Sequence, residues 1–338
     1  MKRLLLSLAI IFFLIRPASA QDPHFTQFFA SPLTFNPAFT GYFSGDFRLA
    51  ANYRSQWRSI ASPFITGTVS ADFSILKDVI AYNDIWGVGV IGLYDKTGAG
   101  ALTSNYIGLS TAYHKGLDPE GLHTLGLGVQ VAWVSKRIDP SKLIFENQID
   151  NTGYNPTIPS NENIPNPSIS YPDFNVGLLY NGLVGENSNL YLGASYYHIT
   201  QPTETFMSQN NNRLSYRYTF QAGGSFPVNG NNRIHMSGHY MRQNEATETA
   251  FGGAYGFLLN GMPETPTTFY IGSWYRLKDA INPYVALELN GLTVGMSYDL
   301  NVSTLKPASQ YRGGFELSLI YIRRHNENAK YKTLCPRF

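Results

Sequence analysis

The 338 residues carry 25 Lys and Arg against 23 Asp and Glu, a net charge of +2, too balanced to favour a nucleic-acid partner. Charged residues form only 14% of the chain, against roughly 25% in an average soluble domain. Aromatics match that share, with 23 Tyr and 21 Phe beside 31 Gly, and the single cysteine, Cys335, excludes an internal disulfide.

The chain opens with Met1-Lys2-Arg3, an apolar run over Leu4–Ile15 broken only by Ser7, and Ala18-Ser19-Ala20. A basic start, a short greasy stretch and small residues at the end form a secretory signal, with cleavage expected before Gln21. A transmembrane anchor is the rival, but the apolar run is about twelve residues where a spanning helix needs roughly twenty. After Gln21 no apolar run is long enough to cross a bilayer as a helix. A membrane protein without such helices must be a closed β-barrel, because no other strand arrangement pairs every backbone N–H and C=O in lipid. Abundant Tyr, Phe and Gly fit interface girdles and curved strands. A secreted array of β-sandwiches would share that composition and is the bland alternative.

Residues 21–45 precede the first strand pattern. Pro23, Pro32 and Pro37 rule out a ladder or a regular helix there, while Phe25, Phe28, Phe29, Phe35 and Phe39 would form an unfavourable apolar patch if exposed. This short periplasmic, plug-like segment is therefore expected inside or beneath the barrel, or against a partner.

Alternation between turn signals then predicts a single antiparallel transmembrane barrel of about fourteen strands over 46–323. The strands fall near 46–57, 64–74, 85–95, 103–114, 122–135, 173–182 and 188–199. The other half fall near 214–226, 232–242, 247–257, 267–276, 281–289, 291–300 and 310–323. The clearest outward faces are Leu125, Leu127, Val129, Val131 and Trp133; Phe174, Val176, Leu178 and Tyr180; and Leu292, Val294, Met296 and Tyr298. Opposite them stand Gly126, Gly128, Gln130 and Ala132; Asn175, Gly177 and Asn181; and Thr293, Gly295, Ser297 and Asp299, suited to a wet or protein-filled lumen. Near the end, Phe315, Leu317, Leu319 and Tyr321 alternate with Gly314, Glu316 and Ser318, the pattern of a closing strand.

Connection lengths supply a second check, since bacterial barrels pair short periplasmic turns with longer outer loops. The longest connection, 136–172, is the fifth, and the next, 200–213, is the seventh. Asn290-Gly291, a tight hairpin signal, falls on the twelfth, and Pro227–Asn231 on the eighth. Both termini then face the periplasm. Residues 151–172 hold Pro156, Pro159, Pro165, Pro167 and Pro172, which argues against a ladder and for an extended, partly stiff loop. Such loops often carry binding or line the mouth of a barrel.

No constellation points to chemistry. His235 and His239 share a spacing that would bring two metal ligands together on a helix, but on a strand it separates them by about 13 Å. They read as girdle or lumen residues. His114, His198 and His239 lie on or beside expected strands, yet no G-x-S-x-G nucleophile motif occurs and no histidine has an orienting partner visible in sequence. No catalytic, cofactor or metal residue is assigned, and no cofactor is expected.

The mature start Gln21-Asp22-Pro23-His24-Phe25-Thr26-Gln27-Phe28, followed by Asn36-Pro37-Ala38 and Gly41, resembles that of the PorP/SprF outer-membrane proteins of type IX secretion in Bacteroidota. The likeness continues through Tyr53-Arg54-Ser55-Gln56-Trp57, Tyr171-Pro172-Asp173-Phe174-Asn175-Val176-Gly177, and Tyr191 to His198 with Gln201-Pro202. It ends with Gly272-Ser273-Trp274-Tyr275-Arg276, Val294 to Asp299, Gly314 to Tyr321 and Cys335-Pro336-Arg337-Phe338. The resemblance implies a non-enzymatic barrel of the bacterial outer membrane that assists export or surface anchoring of a large secreted protein, such as a gliding adhesin. Its implied partners are that client, periplasmic type IX components and outer-membrane lipid. It also implies that Asn36, Pro37, Gly41 and the Tyr53–Trp57 residues shape the barrel base and first strand. Loops 136–172 and 200–213 are expected to touch the client, and the basic tail 324–338 to lie in the periplasm. A passive or hydrophobic-solute transporter of the fatty-acid-channel kind is the rival reading.

Overall fold

The computed structural model describes residues 21–60, 62–76, 79–81, 83–185, 187–207, 212–229, 232–260 and 266–323. The expected signal 1–20 and the tail 324–338, with Cys335, lie outside them. The chain forms β1 (Phe47–Gln56), β2 (Phe64–Ile75), β3 (Ile85–Thr97), β4 (Leu102–Gly116) and β5 (His123–Ile138). A small hairpin follows, β6 (Ile149–Asp150) and β7 (Gly153–Tyr154), then β8 (Ser168–Leu183), β9 (Asn189–Tyr197), β10 (Arg217–Pro227) and β11 (Arg233–Gln243). The last five are β12 (Ala246–Asn260), β13 (Thr267–Arg276), β14 (Ala280–Leu289), β15 (Leu292–Asn301) and β16 (Arg312–Ile322).

Apart from β6 and β7, each strand pairs antiparallel with its chain neighbours, and β1 pairs with β16 from Arg48↔Ile322 to Gln56↔Gly314. The result is a closed 14-stranded barrel with no free edge, the condition for placing strands in lipid. No helix among the described residues is long and apolar enough to cross a membrane.

The side-chain alternation holds around the wall. Leu127, Leu178, Leu192, Phe220 and Met236 point outward and are more than half or about half exposed, while Gln130, Asn175, Gln221 and Ser237 face the lumen and are buried. An apolar exterior around a polar interior reverses the soluble-protein pattern and is stable only in lipid. At one end Tyr196, Tyr216, Tyr218 and Phe220 form a chain of ring contacts along the outer wall, with centroids 5.4–6.5 Å apart, as expected of an interface girdle.

The long connections 139–167 and 198–216 leave from one end of the barrel, and the short 290–291 turn lies at the other, together with the start of β1 and the end of β16. These are called the loop end and the turn end. The largest boundary difference from the sequence expectation is at β8. β8 begins at Ser168, inside the proline-rich stretch, and Pro172 pairs with Trp133 of β5. The ladder to β9 starts only at Val176, so Pro172 sits where β8 has a neighbour on one side, the setting in which a strand tolerates a residue without an N–H.

Candidate functional site in the plugged lumen

Residues 21–46 run through the barrel lumen from the loop end to the turn end, so the segment lies inside the barrel rather than beneath it. Only its last residues are at the expected periplasmic side, where Asp46 N–H donates to the Arg323 carbonyl at 2.9 Å. Three short helical turns, Phe28–Ala30, Pro32–Phe35 and Pro37–Phe39, fold it into a compact plug. Prolines at the first helical positions, where no N–H is needed, fit such starts.

At the loop end, Asp22 is gripped from several strands. Its carboxylate lies 2.6 Å from His198 Nε2 and 3.1 Å from Arg217 Nη1, while its backbone N–H donates to Gln243 at 2.8 Å. His198 Nδ1 in turn sits 3.0 Å from Asp173. Burial alone would push the imidazole pKa down, but the two flanking carboxylates, Asp22 foremost, overcome it and raise the value to about 9. Burial likewise opposes ionisation of Asp22, yet His198 and Arg217 hold its carboxyl far below the usual range.

One turn deeper, four charged side chains close around Thr26 and Gln27. Arg54 and Arg276 each place a guanidinium nitrogen 2.9 Å from Asp299 Oδ2, and Arg54 also lies 3.2 Å from Glu316. Glu316 accepts from the backbone N–H groups of Thr26 and Gln27 at 2.6 and 2.9 Å. Arg54 donates to the His24 carbonyl at 2.7 Å, and the Thr26 hydroxyl donates to Asp299 at 2.9 Å. Two cations and two anions, all buried, thus satisfy one another and the plug backbone together. Beside them Glu248 bridges His24 of the plug at 2.8 Å and His239 of the wall at 2.9 Å.

Lower down, aromatic packing replaces charge. Phe28 and Phe35 pack against each other and against the edge of His239, while Phe29 meets Trp274 and Tyr284. The Asn36–Gly41 stretch then lies on a track of wall glycines. A Cβ on Gly177 would strike the Asn36 amide, one on Gly128 the backbone at Pro37 and Ala38, and one on Gly87 the backbone at Thr40 and Gly41. Gly41 itself has φ +70, which an L side chain rarely adopts. Asn36 is fully buried; its oxygen accepts from Ala38 N–H at 2.8 Å and its amide donates to the Leu178 and Ala194 carbonyls at 3.0 and 3.2 Å. Gly41 N–H donates to Asp72, which also holds Arg48 through two bonds of 2.8 and 3.0 Å.

Residues scattered over the sequence motifs therefore meet on one segment. Arg54, His198, Arg276, Asp299 and Glu316 all bear on residues 22–27, Asp173 reaches them through His198, and Asn36 and Gly41 lie on the glycine track. His235 and His239 are lumen residues, not girdle ones. His198 does have an orienting carboxylate in Asp173, which sequence could not reveal, but its second nitrogen is taken by the plug. Among the described residues no cluster of His, Cys, Asp and Glu could hold a metal ion.

The long loops are joined above the plug. Asn166 N–H of the first donates to the Phe206 carbonyl of the second, and Glu204 pins the second loop to the wall, accepting from Lys136 of β5 at 2.7 Å and from the Tyr171 hydroxyl of β8 at 2.9 Å. Ile144, Ile149 and Tyr154 of the first loop and Met207 of the second are about half exposed or more.

The chain is similar in structure to the toluene transporter TbuX of Ralstonia pickettii, with 12% identity, 88% of this chain and 94% of that one covered, and a TM-score of 0.49. A FadL homologue of Pseudomonas aeruginosa is similar at 11% identity over 85% and 92%, with a TM-score of 0.45. BamA of Haemophilus ducreyi lacking POTRA domains 1-3 is similar at 9% over 82% and 70%, with a TM-score of 0.42. No curated protein matches the sequence. The family described as type IX secretion system membrane protein PorP/SprF matches residues 18–321. That match spans most of the chain, and the protein belongs to the PorP/SprF family of type IX secretion, an outer-membrane β-barrel.

Proposed function

We propose that this barrel is a non-enzymatic accessory of type IX secretion that assists export or surface anchoring of a large exported protein. Membership of the PorP/SprF family supports this reading. The observation that carries the finer reading is the lumen itself. It is filled along its length by a segment locked through buried charge clusters, which suits an anchor better than an open conduit. The loop end offers the docking surface: loops 139–167 and 198–216, tied through the Asn166–Phe206 hydrogen bond, present Ile149, Tyr154 and Met207 together with exposed Asn and Pro residues. Exposed apolar side chains on a tethered polar loop are the usual make-up of a protein-binding face. On this reading the loop end faces the cell exterior and the turn end the periplasm.

A photo-crosslinking residue at Tyr154 or Ile149 in living cells tests the proposal. A covalent adduct with a large exported protein is the expected result. Adducts confined to lipid or to other barrels would count against it. The rival, a passive or hydrophobic-solute transporter, requires a route past residues 22–41.

A further inference from the structure

Between the plug and the wall lies a cavity of about 110 Å³. Its deep part is walled by Phe28, Phe35, Tyr191, Tyr270, Tyr284 and Gln221, all buried. Its mouth is at the turn end, where Ser44 is exposed and Thr293 and Ile320 are half-buried. The walls are thus largely aromatic; of the buried polar side chains that line them, Arg48 is held by Asp72 and Glu288 by the Tyr270 hydroxyl, and Gln221 stands out. Gln221 is 4% exposed, and neither its amide oxygen nor its amide nitrogen has a hydrogen-bond partner. It leans over Gly193, where a Cβ would come within 2.5 Å of its Nε2, so the missing side chain leaves the amide its room.

A buried amide without partners costs about 1–3 kcal/mol. An engineered cavity of about 150 Å³ holds benzene; this one is somewhat smaller but opens at its mouth, which leaves room for a single ring. Rings that meet it edge-on gain beyond area burial, and an amide at the blind end can both donate to and accept from a hydroxyl.

We propose that the cavity binds a small uncharged phenol from the turn end, its ring among Phe28, Phe35 and Tyr284 and its hydroxyl hydrogen-bonded to Gln221. The site rests on the cavity and the orphaned amide and stands apart from the client-binding reading. The test is ¹⁹F NMR of the full barrel in phosphatidylcholine nanodiscs, titrated with 4-fluorophenol and with fluorobenzene. A saturable bound signal is expected for 4-fluorophenol, with fluorobenzene weaker. Gln221→Leu should weaken 4-fluorophenol about fivefold, the fold-change of one neutral hydrogen bond, and leave fluorobenzene unchanged. Thr293→Trp, at the partly exposed mouth and remote from the amide, should block both probes while heat-modifiable gel mobility shows an intact barrel. Linear partitioning into lipid without saturation would overturn the proposal. So would equal affinity for both probes, 4-fluorophenol binding that Gln221→Leu leaves intact, or binding that survives Thr293→Trp.

Discussion

The grip on Asp22 should weaken as pH rises, and the sign follows from His198. Its pKa in the folded barrel, about 9, lies above the ordinary value near 6.5. The protonated imidazole therefore contributes its full stabilisation below pH 6.5, and that contribution is lost as pH climbs through about 9. Each tenfold change corresponds to about 1.4 kcal/mol, so the whole effect is about 3 kcal/mol. Arg217 and Gln243 still hold Asp22 at 3.1 and 2.8 Å, so the end of the plug loosens rather than leaves. A nitroxide on Gln21→Cys, in a Cys335→Ser background, reads this directly by electron paramagnetic resonance. The label should be restrained at pH 6 and progressively mobile between pH 7 and 10. In His198→Gln it should be mobile and independent of pH over that range. A wild-type spectrum that stays unchanged from pH 6 to 10 would refute the reasoning, as would a His198→Gln variant that still titrates.

Further outcomes follow from the same contacts. Arg54→Met leaves Asp299 and Glu316 short of a buried partner and should cost about 3–5 kcal/mol, read as a lower denaturant midpoint; Arg54→Met with Glu316→Gln should recover part of that loss. Asn36→Ala removes three buried hydrogen bonds and should destabilise the plug by about 2–4 kcal/mol, seen as faster protease cleavage within residues 21–45. Gly177→Ala should match it by pushing the Asn36 amide off its carbonyls. On the outer wall, Leu127→Arg should cost about 2–4 kcal/mol if its site is near the bilayer midplane, measured by folding into lipid vesicles.

Much of the wall was legible in sequence because a one-residue slip exposes every lumen group to lipid, so the period-2 pattern is enforced along each strand. Leu125 to Trp133 and Phe315 to Tyr321 show it with few exceptions. The start of β8 was hidden because Pro172 reads as a strand breaker, and only the stagger between β8 and β9 makes it harmless. The five phenylalanines signalled a buried segment, but not its depth. That depends on partners such as Thr26 with Glu316 and Asp22 with His198, which lie far apart in the chain and carry no local periodicity. The wall glycines were visible as small lumen residues at Gly128 and Gly177; that they form a track for Asn36–Gly41 needs the folded register. The orphaned amide of Gln221 has no signature in sequence at all.

Conductance across a planar lipid bilayer tests the claim that the chain closes its own lumen most directly. The purified wild-type barrel should show no stable large pore, whereas a variant lacking residues 22–41 should open one of steady conductance. A large, stable pore in the wild type, or a deletion variant that folds and remains closed, would contradict the account.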